Sequence, residues 1–209
     1  MILDVYERVA AAHAPRDRRL RIEHADLTDE ADLPRFARLG VPVVMQPTFC
    51  CAEEGLNYDL GNPLPTDRWQ SLLANGTSLA FSSDWPCTWP PDPFLGIQQA
   101  VTRDVWRSPD TASIAGNPLD GAGQGGAVRT GGVYVPAERI TVADAIRAYT
   151  QGSAYAAFLD SKVGTLAVGK EADLVVLSQD PFAVPPAAIA ATRVVLTMVG
   201  GTIVYGKLP

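Results

Sequence analysis

Two short stretches hold the residues best suited to chemistry: Arg21-Ile22-Glu23-His24-Ala25-Asp26 and Ser82-Ser83-Asp84-Trp85-Pro86. Each stands where an apolar run gives way to polar residues, so each reads as the far end of a buried strand. An imidazole and a carboxylate at the ends of two buried parallel strands are residue types from which a hydrolytic metal centre is built. One histidine and one carboxylate do not complete such a centre. The other of the two histidines, His13, falls in a helix-to-strand connection and is poorly placed to help. Cys50, Cys51 and Cys87 lie in loops after strands near the same mouth. With His24 they offer soft thiolate donors for zinc, but their spacing matches no zinc motif.

The elements that must position these residues follow from the apolar periodicity. Ile2, Leu3, Val5, Tyr6, Val9 and Ala10 predict a helix from the first residues, with no capping residue before it. Leu20-Arg21-Ile22 reads as a strand ending at Glu23-His24. Thr28 is expected to cap a helix running through Leu39, with Gly40 as its C-terminal stop. Val41 to Met45 and Ser78 to Ser82 are further buried strands, and Trp69, Leu72 and Leu73 mark a helix between them that ends at Asn75-Gly76. This strand–helix alternation predicts a parallel sheet with helices outside it, an α/β class.

Further on, Pro93 to Thr102 predicts a helix, and Gly116 to Gly132 a glycine-rich mobile loop. Thr141 is expected to cap a helix, with Asp144 three residues on. A short helix follows over Ala154 to Phe158. After it the texture changes to turns and strands at Leu174–Leu177, Val194–Val199 and Thr202–Tyr205, with Gly200-Gly201 as a hairpin signal. A boundary near Ser161 divides the chain into residues 1–160 and 161–209.

Composition narrows the function classes. The 209 residues are 47% hydrophobic and 19% charged, an ordinary globular balance. A net charge of −6 without a Lys/Arg cluster argues against a nucleic-acid partner. No apolar run reaches the roughly 18 residues of a membrane span, and the N-terminus lacks the order of a signal peptide. Three cysteines leave one over in any pairing, so reduced thiols in a cytoplasm are the expectation.

Taken together, Arg21-Ile22-Glu23-His24-Ala25, Met45-Gln46-Pro47-Thr48, Ser82-Ser83-Asp84-Trp85-Pro86 and Gly164 to Leu177 resemble the amidohydrolase superfamily, and within it the amidohydrolase-3 (YtcJ-like) branch. Asp92-Pro93, Ala145 to Thr150 and Met198 to Tyr205 extend the resemblance over essentially the whole chain. It implies a distorted (β/α)8 barrel joined to a small β-sandwich. His24 matches the sixth-strand histidine, a metal ligand or oxyanion donor. Asp84 matches the eighth-strand aspartate, a metal ligand and the catalytic group that takes a proton from water and passes it to the leaving amine. The family metal, usually zinc or another divalent ion, makes hydroxide available near pH 7 by lowering the pKa of bound water to about that value.

The departure from the family is the missing His-x-His pair of the first strand. The resemblance therefore covers the C-terminal part of such an enzyme: about the last three βα units of the barrel, then part of the sandwich. The expectation is a parent activity on non-peptide C–N bonds of a small amide-type molecule, and a chain that alone holds no competent metal centre. Self-association or pairing with a missing N-terminal half is expected for such a partial barrel, as is the reading of a non-catalytic interaction remnant. Gln46, Trp85 and Trp89 are the candidate substrate contacts. The two tryptophans have an equal alternative in packing beneath a proline-rich loop.

Overall fold

The computed structural model describes residues 1–51, 66–86, 91–107 and 128–207. Strands β1 (Ile22–Glu23), β2 (Val43–Met45) and β3 (Leu79–Phe81) form one parallel sheet in that order. Ile22 pairs with Val43 and Val43 with Leu79, so the three strands run level. Every residue of β2 and β3 is buried. That burial is what a continuous apolar run gives when a parallel strand is covered on both faces.

Helices α1 (Ile2–Ala12), α2 (Leu33–Leu39), α3 (Trp69–Ala74) and α4 (Pro93–Thr102) accompany the sheet. Their anchors, Leu3, Leu33, Phe36, Trp69, Leu72 and Ile97 among them, share one core with the strands. Arg35 fastens α1 to α2, reaching Asp4 at 2.5 Å, Glu7 at 2.9 Å and Asp32 at 2.6 Å. Those three carboxylates raise its pKa, the Glu7 hydrogen bond most.

Helix boundaries follow local chemistry. Gly40 closes α2 in the left-handed conformation at φ 61°, as the sequence predicts. The expected start differs. Thr28 does not cap; its hydroxyl donates to the Ala25 carbonyl at 2.9 Å, and Asp29 instead accepts from Ala31 to begin a 3-10 turn ahead of Leu33. Asp92 caps α4 by accepting from Phe94 at 2.8 Å, and Thr141 caps α5 (Val142–Arg147) by accepting from Asp144 at 3.1 Å.

Two features lie outside the sequence reading. The end of the predicted loop, Val128 to Gly132, lies in strand β5 (Val128–Val133), which pairs antiparallel with β4 (Asp104–Arg107), while the rest of that loop, Gly116 to Ala127, lies outside the described residues. Between α5 and the short helix α6 (Ser153–Ala156) the backbone widens into a π-helix over Ala148–Gly152. The widening lets the chain approach β3 closely. A Cβ on Gly152 would lie 2.0 Å from the Leu79 carbonyl oxygen.

The C-terminal strands β6 (Leu174–Leu177), β7 (Val194–Val199) and β8 (Thr202–Gly206) form a three-stranded antiparallel sheet. Gly200 and Gly201 make the β7–β8 turn with φ of 54° and 79°, the left-handed pair that a tight hairpin needs. A 3-10 helix over Pro186–Ala191 precedes β7. Its Ile189 joins the main core, while the Ala190 N–H donates to Gln98 of α4 at 3.0 Å.

Candidate active-site residues at the strand ends

His24 follows β1 directly. Its N–H continues the ladder to the Val44 carbonyl at 2.8 Å, and the Ala25 N–H then turns back to the Glu23 carbonyl at 3.0 Å. That three-residue turn holds His24 at φ 67° and Ala25 at φ 53°. Left-handed backbone is costly for a residue with a Cβ, about 1–3 kcal/mol, and such residues cluster at functional sites. Glu23 is exposed and pairs with Arg21 at 2.6 Å. The imidazole of His24 is half-buried and stacks on Phe49, ring centres 5.8 Å apart and planes 13° from parallel.

Asp84 lies beyond β3 in the same sense. The Ser82 N–H still pairs with the Met45 carbonyl at 3.0 Å, and Asp84 itself sits at φ 55°, half-buried. Both candidates thus stand past the carboxyl ends of the strands that flank β2, which are themselves two strand spacings, roughly 10 Å, apart.

Gln46 occupies the end of β2 between them. It is 2% exposed, and its Nε2 donates to the Ser82 hydroxyl at 2.8 Å. Its Oε1 and the Thr48 hydroxyl are buried without a hydrogen-bond partner among the described residues. A buried acceptor of this kind costs about 1–3 kcal/mol unless something satisfies it. Trp85 is 61% exposed, with its N–H on the Ser83 hydroxyl at 3.3 Å, so it is not packed beneath the loop. Trp89 and Cys87 lie outside the described residues.

Phe49 and Ser82 are contacts that the sequence reading missed, for phenylalanine and serine beside a strand end carry no signal of their own. Cys50 and Cys51 correct the expectation of reduced thiols: they are joined to each other by a disulfide of 2.11 Å, immediately after Phe49. The thiolate zinc arrangement loses those two donors.

The loops behind these residues are pinned by Arg103, which is fully buried. It donates to the carbonyls of Tyr134 at 2.7 Å, Asp67 at 2.9 Å and Thr66 at 3.3 Å, and lies over the Trp69 ring. Burial lowers its pKa, and the nearby charges of Asp67 and Glu138 oppose that. Thr66 and Asp67 in turn hold the loop after β1: Leu27 bridges to Thr66, and the Asp67 N–H donates to the Asp26 carbonyl at 2.9 Å. A cavity of about 270 Å³ lies at the other end of the sheet, lined by Thr77, Ser78, Leu79, Arg147 and Gln151. It touches neither His24 nor Asp84.

Among the described residues no three His, Cys, Asp or Glu side chains gather where they could hold an ion. His24 and Asp84 alone therefore make no complete coordination set among the described residues.

A parallel α/β sheet with an imidazole and a carboxylate beyond its strand ends belongs to the class in which chemistry gathers at the carboxyl edge. The Amidohydrolase family model matches residues 1–205, and the chain belongs to that family. It is 35% identical to Protein LONG AFTER FAR-RED 3 of Arabidopsis thaliana over 98% of this chain and 32% of that protein. It is 32% identical to the putative amidohydrolase YtcJ of Bacillus subtilis over 93% of this chain and 34% of that protein. An uncharacterized metal-dependent hydrolase from Pyrococcus furiosus superposes with a TM-score of 0.58 at 27% identity, covering 87% of this chain and 31% of that one. The chain spans about a third of the length of the curated relatives it matches.

Proposed function

We propose that this chain supplies His24 and Asp84 to the site of a metal-dependent amidohydrolase that cleaves amide-type C–N bonds, other than peptide bonds, in a small molecule. In this reading residues 1–160 are the last three βα units of a (β/α)8 barrel, residues 161–209 are part of a β-sandwich, and the protein works in the cytoplasm. One observation carries it: both residues hold left-handed backbone past the carboxyl ends of strands flanking β2. The names of the relatives support the reaction class. The buried, unpartnered Gln46 Oε1 beside them supports a polar group on the substrate.

Within this chain's share of the site, Asp84 is the group that holds and returns a proton, and His24 is the donor facing it from β1. A complete divalent centre, zinc or otherwise, needs ligands beyond these two donors. The chain alone is therefore inactive in this reading and works with polypeptide carrying the remaining strands. The exposed apolar residues of β6 to β8 favour such a partner, or self-association, over a freestanding remnant.

The test is metal content and hydrolysis of an N-acyl amino acid panel, for the 209-residue chain alone and mixed with a segment supplying a His-x-His strand. We expect neither metal nor turnover alone. In the complemented sample Asp84→Asn should lower kcat by about 10²- to 10⁴-fold. Stoichiometric zinc and Asp84-dependent turnover by the single chain would overturn the inactivity. A complemented sample indifferent to Asp84→Asn would overturn the catalytic role.

A further inference from the structure

The adjacent cysteines are the feature that the proposed hydrolase site leaves unused. Cys50 and Cys51 follow Phe49 without an intervening residue, are each 2% exposed, and are bonded to each other. A disulfide stabilises a fold chiefly by closing a loop in the unfolded chain, and the effect grows with the length of that loop. Between neighbouring residues the closed loop is the shortest the chain allows, so this bond has little to offer global stability. Its effects are local.

What lies next to it is specific. The Phe49 N–H closes a turn onto the Gln46 carbonyl at 2.9 Å, Phe49 stacks on His24, and Cys51 is held at φ 67°. The turn after β2 thus carries the bonded pair at one end and the support of the His24 ring at the other.

We infer that Cys50 and Cys51 form a reversible thiol–disulfide site whose state sets, through Phe49, the position of the His24 imidazole. In the oxidising direction the co-reactant is a low-molecular-weight disulfide. One cysteine thiolate attacks it and displaces a first small thiol, and the second cysteine sulfur then displaces the other. Two electrons pass to the reagent, the two cysteine protons leave with the released thiols, and one S–S bond replaces another. A small dithiol reverses the sequence. Because both sulfurs are buried, exchange proceeds when the turn opens locally. The consequence for catalysis rests on the reading of His24 given above; the redox step and the ring movement do not.

The experiment uses the full chain with Cys87→Ser, equilibrated across a series of oxidised and reduced glutathione mixtures. Free thiols are counted by mass after alkylation, and the imidazole resonances of His24 and His13 are recorded in the same samples. The expected result is a two-electron transition from two alkylatable thiols to none. The His24 resonance shifts by several linewidths at the same midpoint, while His13 serves as the unmoved control. Phe49→Leu should keep the thiol transition and lose most of the His24 shift. Thiols that stay alkylatable throughout, or a bond that closes with His24 unmoved, would overturn the inference. Neither readout involves metal or turnover, so failure of the hydrolase reading leaves a distinct signature.

Discussion

Arg103 illustrates how single residues hold the strand ends in place. Its guanidinium serves three backbone carbonyls from segments far apart in sequence, with the charges of Asp67 and Glu138 nearby. Arg103→Met keeps much of the volume but leaves the Thr66, Asp67 and Tyr134 carbonyls without this donor. At about 1 kcal/mol or more for each stranded acceptor, the loss should be about 3 kcal/mol, read as a lower urea midpoint at constant slope. None of this was visible in the sequence, where Arg103 merely follows a helix. The places of His24 and Asp84 beyond strand ends were legible because a polar residue ending an apolar run has a position as well as a type. Their left-handed backbone was not legible, since it depends on how the next turn folds. The same holds for Cys50 and Cys51, because adjacency in sequence does not say whether two thiols are bonded.

Whole elements were readable where one face or both were apolar over several residues. The order β1, α2, β2, α3, β3 and the cap at Thr141 follow from the pattern, as does the Gly200-Gly201 hairpin. Strand β5 was hidden because its Arg129-Thr130-Gly131-Gly132 centre has no apolar alternation. The π-helix was hidden because it answers to tertiary packing. Its tight fit to β3 can be tested directly. Gly152→Ala must push the helix from the Leu79 carbonyl and should cost about 2–3 kcal/mol. Ser153→Ala, which removes the hydrogen bond to the Phe81 carbonyl at 2.9 Å, should cost about 1 kcal/mol. Equal losses in chemical denaturation would contradict the close approach. Tyr149, in the same segment, packs edge-on against Phe81 at 5.4 Å, and burial raises its pKa, with Asp92 adding to the effect. The neutral phenol is therefore favoured by folding. Its contribution is fully present below the unfolded value of 10.0 and is lost as pH rises above it toward the folded value. Tyr149→Phe should flatten the alkaline limb of a melting-temperature profile. An unchanged fall above pH 10 would assign that limb to other groups.

Over the whole molecule the surface is less finished than the core. Val175, Thr197 and Tyr205 form one cross-strand row of the C-terminal sheet, on the side away from the buried Leu196. Val175 is half exposed and Tyr205 more so, and Val195, alternating with Thr197 along β7, is exposed beside them. The sheet order leaves β6 and β8 as edges with no further strand among the described residues. Exposed apolar rows bordered by open edges promote association. A net charge of −6 opposes this only weakly once salt screens it. Among the described residues no helix is long and apolar enough to cross a membrane. The chain should therefore self-associate as loading concentration rises, seen as a growing weight-average mass in sedimentation equilibrium. Val175→Lys combined with Tyr205→Lys puts a charge on each edge strand in the row. That pair should return the mass to that of one chain, while changing stability by no more than about 0.5 kcal/mol per site, as expected for surface positions. Association that persists undiminished in the double variant would move the contact elsewhere, with the open side of β1 as the next surface to substitute.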